Sequence, residues 1–180
     1  TKFGVDLEEA PAFFQKYGRA PAARLVGLHF HLGSPIYNAG VYGEAIRKVL
    51  PVLEGLRAAG FAVETLNVGG GYAACYETGR ATLIEDYADA IVPVLEGKGL
   101  RVIVEPGRLI SANAGILVAR VQYVKTGGSK TFIVLDTGMH HLIRPPLYDA
   151  FHFIWPVEPG EEQTPAHRLA EPPVEGLKKF

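Results

Sequence analysis

The first 110 residues alternate short apolar runs with longer segments in which apolar residues recur at helical spacing. The runs at 25–30, 63–68 and 100–104 have the length and content of buried strands. The segments between them, 43–59 and 82–96, place apolar residues three and four positions apart and are predicted to be helices. Strands that alternate with helices in this way favour parallel pairing with right-handed crossovers, so the sequence predicts an α/β fold.

Both predicted helices have a recognisable end and an interior proline. Gly60 follows the first helix as a C-terminal stop, and Thr82 with Glu85 forms a capping box at the start of the second. Pro51 and Pro93 each remove one backbone donor, so we expect a kink at both positions.

The pattern becomes β-rich after residue 111. Two runs, 116–125 and 130–136, flank a Thr-Gly-Gly-Ser segment and are predicted to form an antiparallel hairpin. A further strand is predicted at 151–155, and the polar, proline-rich segment 156–173 is predicted to be an exposed loop.

Composition and charge exclude several classes of function. Hydrophobic residues make up 48% of the chain and charged residues 21%, which is typical of a globular protein. The net charge of -1 gives no reason to expect a nucleic acid or a membrane surface as a partner. No apolar run approaches the roughly 20 residues of a membrane span. The single cysteine, Cys75, cannot form an internal disulfide, which favours a reducing, cytoplasmic location.

Polar or glycine-rich clusters follow each of the three predicted strands. His31 and Ser34 follow the first strand, Gly69–Gly71 follow the second, and Glu105 and Arg108 follow the third. Because ligands bind at the carboxyl ends of parallel strands in α/β proteins, we expect these clusters to form one site.

The glycine triplet has two interpretations. Glycines let backbone N–H groups approach an anion closely, and a helix that follows them adds its N-terminus, as in phosphate sites. Alternatively, the triplet forms only a tight turn. The Ser34 hydroxyl likewise either contributes to the same phosphate site or caps a helix or turn.

Glu105 and the first two histidines also leave alternatives open. Glu105 follows three β-branched residues at the rim of a dry core, where an unpaired carboxylate is costly. Either Arg108 pairs with it or it faces a cationic ligand. His29 and His31 share one face of a strand, which admits a metal site, or else one histidine packs and the other forms a hydrogen bond. The other histidines add no ligand spacing, so we predict no metal site.

Arg144 and Tyr148 lie four residues apart around two prolines. A helical turn here places the guanidinium and the phenol on one side, where they suit a carboxylate. The alternative is a surface arginine beside a half-buried tyrosine.

These motifs together resemble a known family. His-Leu-Gly-Ser at 31–34, Gly-Gly-Gly at 69–71 and Glu-Pro-Gly-Arg at 105–108 resemble the barrel-fold amino-acid decarboxylases that use pyridoxal phosphate. Leu-Asp-Thr-Gly-Met at 135–139 and the segment 142–150 are similar to diaminopimelate decarboxylases in particular. The resemblance implies that residues 1–112 are the C-terminal part of a (β/α)8 TIM-like barrel and that 113–180 begin a β-rich domain with a substrate-binding segment.

The resemblance also implies a role for each candidate residue. His31 would stack on the pyridine ring, and Glu105 would keep the ring nitrogen protonated, which makes the ring a better electron sink. The residues expected to bind the cofactor, several of them through its phosphate, are His31, Ser34, Gly69, Gly70, Gly71, Glu105, Pro106, Gly107 and Arg108. The distal carboxylate of the substrate would be bound by Arg108, Arg144 and Tyr148.

The implied activity is decarboxylation of meso-2,6-diaminopimelate to L-lysine by a cytoplasmic homodimer with shared active sites. The family's Schiff-base lysine would precede Thr1 and its interface cysteine would follow Phe180, so we expect this chain to be part of a longer protein and inactive alone. The alternatives are a sister decarboxylase acting on ornithine, arginine or carboxynorspermidine, a metal-dependent barrel hydrolase, and a regulatory protein that keeps the fold without the cofactor. The Arg144 and Tyr148 pair argues against a substrate whose far end is cationic.

Overall fold

The computed structural model describes residues 3–74, 81–152, 154 and 156–158 of the 180-residue chain. These residues fall into two compact units, the first formed by 3–74 and 81–112 and the second beginning at 113. Cys75, and the predicted loop beyond residue 158, lie outside the described residues.

The first unit is an α/β structure, as the sequence predicts. Its elements are a 3-10 turn at Leu7–Glu9, then α1 (Ala10–Tyr17), β1 (Gly27–His29), α2 (Gly40–Ala58), β2 (Thr65–Gly70), α3 (Ile84–Leu95), β3 (Arg101–Glu105) and α4 (Gly107–Ser111). The three strands pair in parallel in the order β1-β2-β3. The first and third predicted strands differ from the observed ones only at their ends. The second, however, begins two residues later than predicted and includes the first two glycines of the triplet.

The register of β2 is irregular at its carboxyl end. His29 of β1 lies opposite Asn67, and Asn67 lies opposite Ile103 of β3. Gly70, however, lies opposite Glu105, so three steps along β2 match two steps along β3. One extra residue in β2 is a bulge, which re-aims the side chains around it.

The core lies between the sheet and the two long helices. Its fully buried large side chains come from α2, from β2, from the loop just before β2, and from α3. They are Tyr42, Ile46, Leu53, Leu56, Val63, Leu66, Val68 and Tyr87. Each such apolar side chain contributes about 1.5–3 kcal/mol by leaving water. Both helices therefore dock through the apolar stripes that the sequence shows.

Arg57 ties together the loops that lead into the second and third strands. Its Nε donates to the Val63 carbonyl at 2.7 Å, and its two terminal nitrogens donate to the Lys98 and Gly99 carbonyls at 2.9 Å each. One guanidinium at the end of α2 thus satisfies three loop carbonyls and fixes where β2 and β3 begin.

The helix starts differ from the predictions. α2 begins at Gly40 rather than at 43 and runs through Pro51, and α3 runs through Pro93. The capping box predicted for Thr82 and Glu85 is wrong, because Leu83 is the N-cap residue and its N–H donates to the Asp86 carboxylate at 3.0 Å. The Thr82 hydroxyl instead donates to the Tyr37 carbonyl. No helix within the described residues is long and apolar enough to cross a membrane.

The second unit contains the predicted hairpin, but its first strand begins five residues later than predicted, at Val121, and extends to Gly127. β4 (Val121–Gly127) and β5 (Lys130–Leu135) pair antiparallel around a two-residue turn in which Gly128 has a φ of +62°. A short helix, α5 (Arg144–Tyr148), follows. The strand predicted at 151–155 is wrong where it can be judged, since Phe151, His152 and Ile154 are not in a strand; residues 153 and 155 lie outside the described residues.

Candidate functional site

A row of three polar side chains crosses the carboxyl edge of the parallel sheet, one from each strand. The Asn67 Nδ2 donates to Glu105 Oε1 at 2.8 Å, and His29 Nε2 lies 3.4 Å from the same oxygen. The strand register explains this row. His29 of β1 pairs with Asn67 of β2, and Asn67 pairs with Ile103 of β3. Glu105 is two residues beyond Ile103, so its side chain lies on the same face of the sheet as those of His29 and Asn67. The Glu105 side chain is 46% exposed, so this carboxylate is open to a ligand.

Two side chains of the sheet contact Glu105. Asn67 of β2 and His29 of β1 both approach Glu105 of β3 across the sheet. Both contacts are made to Oε1, and the described residues give Oε2 no hydrogen bond. Asn67 was not among the residues singled out in the sequence, since it lies inside an apolar run.

The glycine triplet lies beside this row and is tied to it. The Gly69 N–H donates to Asn67 Oδ1 at 2.9 Å, and the Gly70 N–H donates to His31 Nδ1 at 3.2 Å. The structure therefore brings His31, the triplet and Glu105 together, as expected from their positions after the strands. The pairing of Gly70 with Glu105 also engages the Gly71 N–H, because Pro106 has no N–H to complete that pairing. An anion at this loop would therefore compete with partners that these three N–H groups already have.

The glycines are required by close packing of backbones. A Cβ on Gly69 would lie 2.3 Å from the Phe30 carbonyl oxygen, and one on Gly70 would lie 2.4 Å from that of Glu105. Gly71 approaches Gly33 equally closely, and Gly69 and Gly71 have φ values of +73° and +101°. The tight-turn interpretation is wrong for Gly69 and Gly70, which belong to β2, and residues 71–74 form no helix.

Three buried tyrosines pack against one another behind the triplet. Tyr42 stacks on Tyr72 with ring centroids 5.1 Å apart, and Tyr87 meets both rings edge-on. The Tyr42 hydroxyl donates to the Gly70 carbonyl at 2.8 Å. The Tyr87 hydroxyl donates to the Ile36 carbonyl at 2.6 Å and accepts from the Ala73 N–H at 3.1 Å.

Burial sets the protonation of two of these tyrosines. Burial, reinforced by the neighbouring phenols, raises the pKa of Tyr42 above its usual 10.0. Burial, followed by Tyr87 and Glu105, raises the pKa of Tyr72. The Tyr72 hydroxyl is buried and has no hydrogen-bond partner among the described residues. Tyr42 and Tyr72 are therefore neutral, and the cluster supports the loop by packing and hydrogen bonding.

The other candidates of the first unit lie around this edge. Ser34 is exposed in the loop after β1, and Pro106 is the N-cap residue of α4. Gly107 and Arg108 are the first two residues of that helix. No group of three or more His, Cys, Asp or Glu side chains in the described part of the chain is arranged to hold a metal ion.

Arg144 and Tyr148 form the predicted helical turn in the second unit. The Arg144 guanidinium lies over the Tyr148 ring, 5.5 Å from its centroid, and Tyr148 is 65% exposed. The tyrosine is therefore not half-buried, and both polar ends are open to solvent.

Comparison with known proteins gives a consistent set of relatives. Residues 1–112 match the family model of the pyridoxal-dependent decarboxylases, pyridoxal binding domain. The diaminopimelate decarboxylase of Aquifex aeolicus is 41% identical over 164 residues, which cover 91% of this chain and 39% of that protein. The crystal structure of diaminopimelate decarboxylase from Helicobacter pylori complexed with L-lysine has a TM-score of 0.81 at 37% identity, over 89% of this chain and 40% of that one. The lysine/ornithine decarboxylase from Vibrio vulnificus, complexed with cadaverine, has a TM-score of 0.78 at 29% identity, over 89% and 44%.

The chain spans about two fifths of the length of these relatives. The family model nevertheless covers the whole of the α/β unit, including all three strands and the polar row at their carboxyl edge. The chain belongs to the family of pyridoxal-dependent decarboxylases.

Proposed function

We propose that this chain supplies cofactor-binding and substrate-binding segments of a diaminopimelate decarboxylase, which converts meso-2,6-diaminopimelate to L-lysine and carbon dioxide. The observation that carries the proposal is the half-exposed Glu105 carboxylate, fixed beside a glycine backbone at the carboxyl edge of parallel strands. The identity to diaminopimelate decarboxylases over most of the chain supports this substrate class.

The residues at the edge fit pyridoxal phosphate. This cofactor has a ring nitrogen that becomes cationic and a phosphate that is anionic, and the site offers a carboxylate for the first and side-chain-free backbone for the second. When bound, the protonated ring accepts the electron pair that is left as carbon dioxide departs. Glu105 holds the proton at the ring nitrogen, since an adjacent carboxylate favours the charged form of a base.

Two further groups of residues complete the proposed cofactor site. His31, already oriented by the Gly70 N–H at its Nδ1, supplies a flat face for the ring. Ser34 supplies a hydroxyl donor for the phosphate, and Gly107 and Arg108, which follow the N-cap residue Pro106, supply donors at the start of α4. Gly71 lets the phosphate approach the backbone closely. Gly69 and Gly70 mainly permit the close approach of the backbones that builds this edge.

We assign the distal carboxylate of the substrate to Arg144 and Tyr148, which lie on one helical turn. A guanidinium binds a carboxylate in bidentate fashion, and the adjacent phenol adds one donor. A substrate that lacks the distal carboxylate leaves these groups unpaired, which is a strong form of discrimination. The lysine/ornithine decarboxylase of Vibrio vulnificus, whose structure contains cadaverine, represents the competing specificity.

The three parallel strands suit the later part of a (β/α)8 barrel, and the residues from 113 onward suit the start of a β-rich domain. We further propose that the complete protein is a homodimer with shared active sites, as the resemblance to this family implies.

The experiment is a substrate comparison with the complete protein and pyridoxal phosphate. Release of carbon dioxide is measured with meso-diaminopimelate, L-lysine and L-ornithine, and the amine products are identified. The proposal predicts L-lysine from meso-diaminopimelate and a kcat/KM for the other two that is lower by about 10⁴ or more. Equal or faster turnover of L-lysine or L-ornithine would assign the chain to the sister specificity instead.

A further inference from the structure

Asn67 connects the carboxylate of the site to its glycine loop. Its Nδ2 donates to Glu105 Oε1 at 2.8 Å, and its Oδ1 accepts from the Gly69 N–H at 2.9 Å. We propose that Asn67 is a positioning residue that fixes the orientation of the Glu105 carboxylate toward the cofactor, a role that rests on the function proposed above for Glu105.

The side-chain amide is suited to this task because it donates and accepts at once. An amide that receives the Gly69 N–H at its oxygen must present its NH₂ group in the other direction, toward Glu105. The orientation of the donor is therefore set by the backbone of the loop. A carboxylate side chain in place of Asn67 has no hydrogen-bond donor, and an aliphatic side chain has neither a donor nor an acceptor.

Glu105 needs such a partner because a glutamate side chain has three rotatable bonds. The Glu105 side chain is 46% exposed and is contacted at one oxygen. Asn67 and His29 both contact Oε1, which leaves Oε2 for a cation. A carboxylate that is held by one oxygen keeps the other in a defined direction, whereas an unrestrained one samples several rotamers.

The bulge in β2 places Asn67 where it can make both contacts. The extra residue lets Gly70 lie opposite Glu105, while Asn67 remains on the same face as His29 and Glu105. Asn67 thus reaches across to the next strand with one end and along its own strand with the other.

The test is a double-mutant cycle in the complete protein with pyridoxal phosphate. It compares wild type, Asn67→Ala, Glu105→Ala and the double variant, because a residue that acts through Glu105 has no further effect once Glu105 is gone. The matched control is Asn38→Ala. The Oδ1 of Asn38 also accepts a hydrogen bond from the N–H two residues ahead, that of Gly40, at 3.0 Å, but Asn38 is not a residue of the proposed site.

Two kinds of measurement are made on each variant. Steady-state kinetics give kcat and KM for meso-diaminopimelate, and the visible circular dichroism of bound pyridoxal phosphate reports how rigidly the protein orients the ring. In the wild-type background, Asn67→Ala is expected to lower kcat by about tenfold or more, the effect of one hydrogen bond to a charged group, with little change in KM. The circular dichroism per bound cofactor falls as well, and Asn38→Ala changes neither quantity.

The double variant decides the outcome. If Asn67 positions Glu105, the two losses caused by Asn67→Ala disappear in the Glu105→Ala background. Equal losses in both backgrounds, or the same losses in Asn38→Ala, would overturn the proposal. Asn67→Leu, which keeps the side-chain volume, replaces Asn67→Ala if the latter does not fold, and failure of both to fold would show a role in folding instead. A wild-type protein that releases no carbon dioxide from meso-diaminopimelate contradicts the proposed substrate, yet the circular dichroism cycle still decides the role of Asn67.

Discussion

Replacing Tyr42 by phenylalanine removes one oxygen atom from the support of the glycine loop. Tyr42 is fully buried, and its hydroxyl donates to the Gly70 carbonyl at 2.8 Å. Phenylalanine keeps the ring and its stacking on Tyr72, so the change leaves no void larger than a hydroxyl. The perturbation is therefore the loss of one buried hydrogen bond.

The other two tyrosines of the cluster allow the loss of stability in Tyr42→Phe to be compared with related variants. Tyr42→Phe leaves a buried acceptor without its donor, which costs about 1–3 kcal/mol of unfolding free energy. Tyr87→Phe removes two hydrogen bonds, to Ile36 and from Ala73, so we expect about twice that loss. Tyr72→Phe removes a buried hydroxyl that has no partner among the described residues, so it is expected to be neutral or stabilising.

The assay is urea unfolding of the complete protein without cofactor, since a bound cofactor adds stability of its own. Two optical probes must give the same transition before free energies are compared. We expect the unfolding free energies to rank Tyr72→Phe at or above wild type, then Tyr42→Phe, then Tyr87→Phe. The reasoning is refuted if Tyr42→Phe lies within about 0.5 kcal/mol of wild type, or if Tyr72→Phe is equally damaging.

Three further predictions follow from the same region. Glu105→Ala is expected to retain pyridoxal phosphate in an absorbance titration but to lose about 100-fold or more in kcat, and a near-normal rate would show that another group protonates the ring. Gly70→Ala is expected to lower the free energy of unfolding by about 1–3 kcal/mol in urea titrations, because its Cβ would lie 2.4 Å from the Glu105 carbonyl oxygen. Gly55→Ala is the control: Gly55 lies in α2 with open space around it, so this change is expected to stabilise the protein by about 0.4–1 kcal/mol. Because the folded pKa values of Tyr42 and Tyr72 are raised above 10.0, their ionisation leaves the free energy of unfolding unchanged below that pH. Above it, ionisation lowers the free energy of unfolding by up to about 1.4 kcal/mol per pH unit for each group. Urea titrations at about pH 9 and about pH 11 should therefore show a smaller decline in the Tyr42→Phe, Tyr72→Phe double variant than in wild type.

The layout of the α/β unit was predictable because its signals are local and agree with one another. The three apolar runs alternate with two helical stripes, and those stripes are the faces that α2 and α3 bury. The predicted strand at 151–155 shows the limit of such signals. An aromatic, β-branched segment becomes a strand only when a neighbouring strand pairs with it, and the sequence does not show whether that neighbour exists.

The candidate site was predictable only in part, for a geometric reason. His31, the glycine triplet and Glu105 were singled out because each follows a predicted strand, and the structure brings them together. Asn67 was missed because its importance comes from register, which places it between His29 and Glu105. Tyr42 was missed because the predicted helix began one residue after it. Asn38, a residue type that commonly caps helices, was the available signal for the earlier start.

The central claim is that Glu105 faces the ring nitrogen of pyridoxal phosphate while Asn67 holds its other carboxylate oxygen. The most direct measurement is a crystal structure of the complete protein with pyridoxal phosphate bound. We predict a distance of about 2.7–2.9 Å from the ring nitrogen to Glu105 Oε2, with the contact from Asn67 to Oε1 kept. A ring nitrogen bound by another residue, or a cofactor bound away from the glycine triplet, would contradict the account.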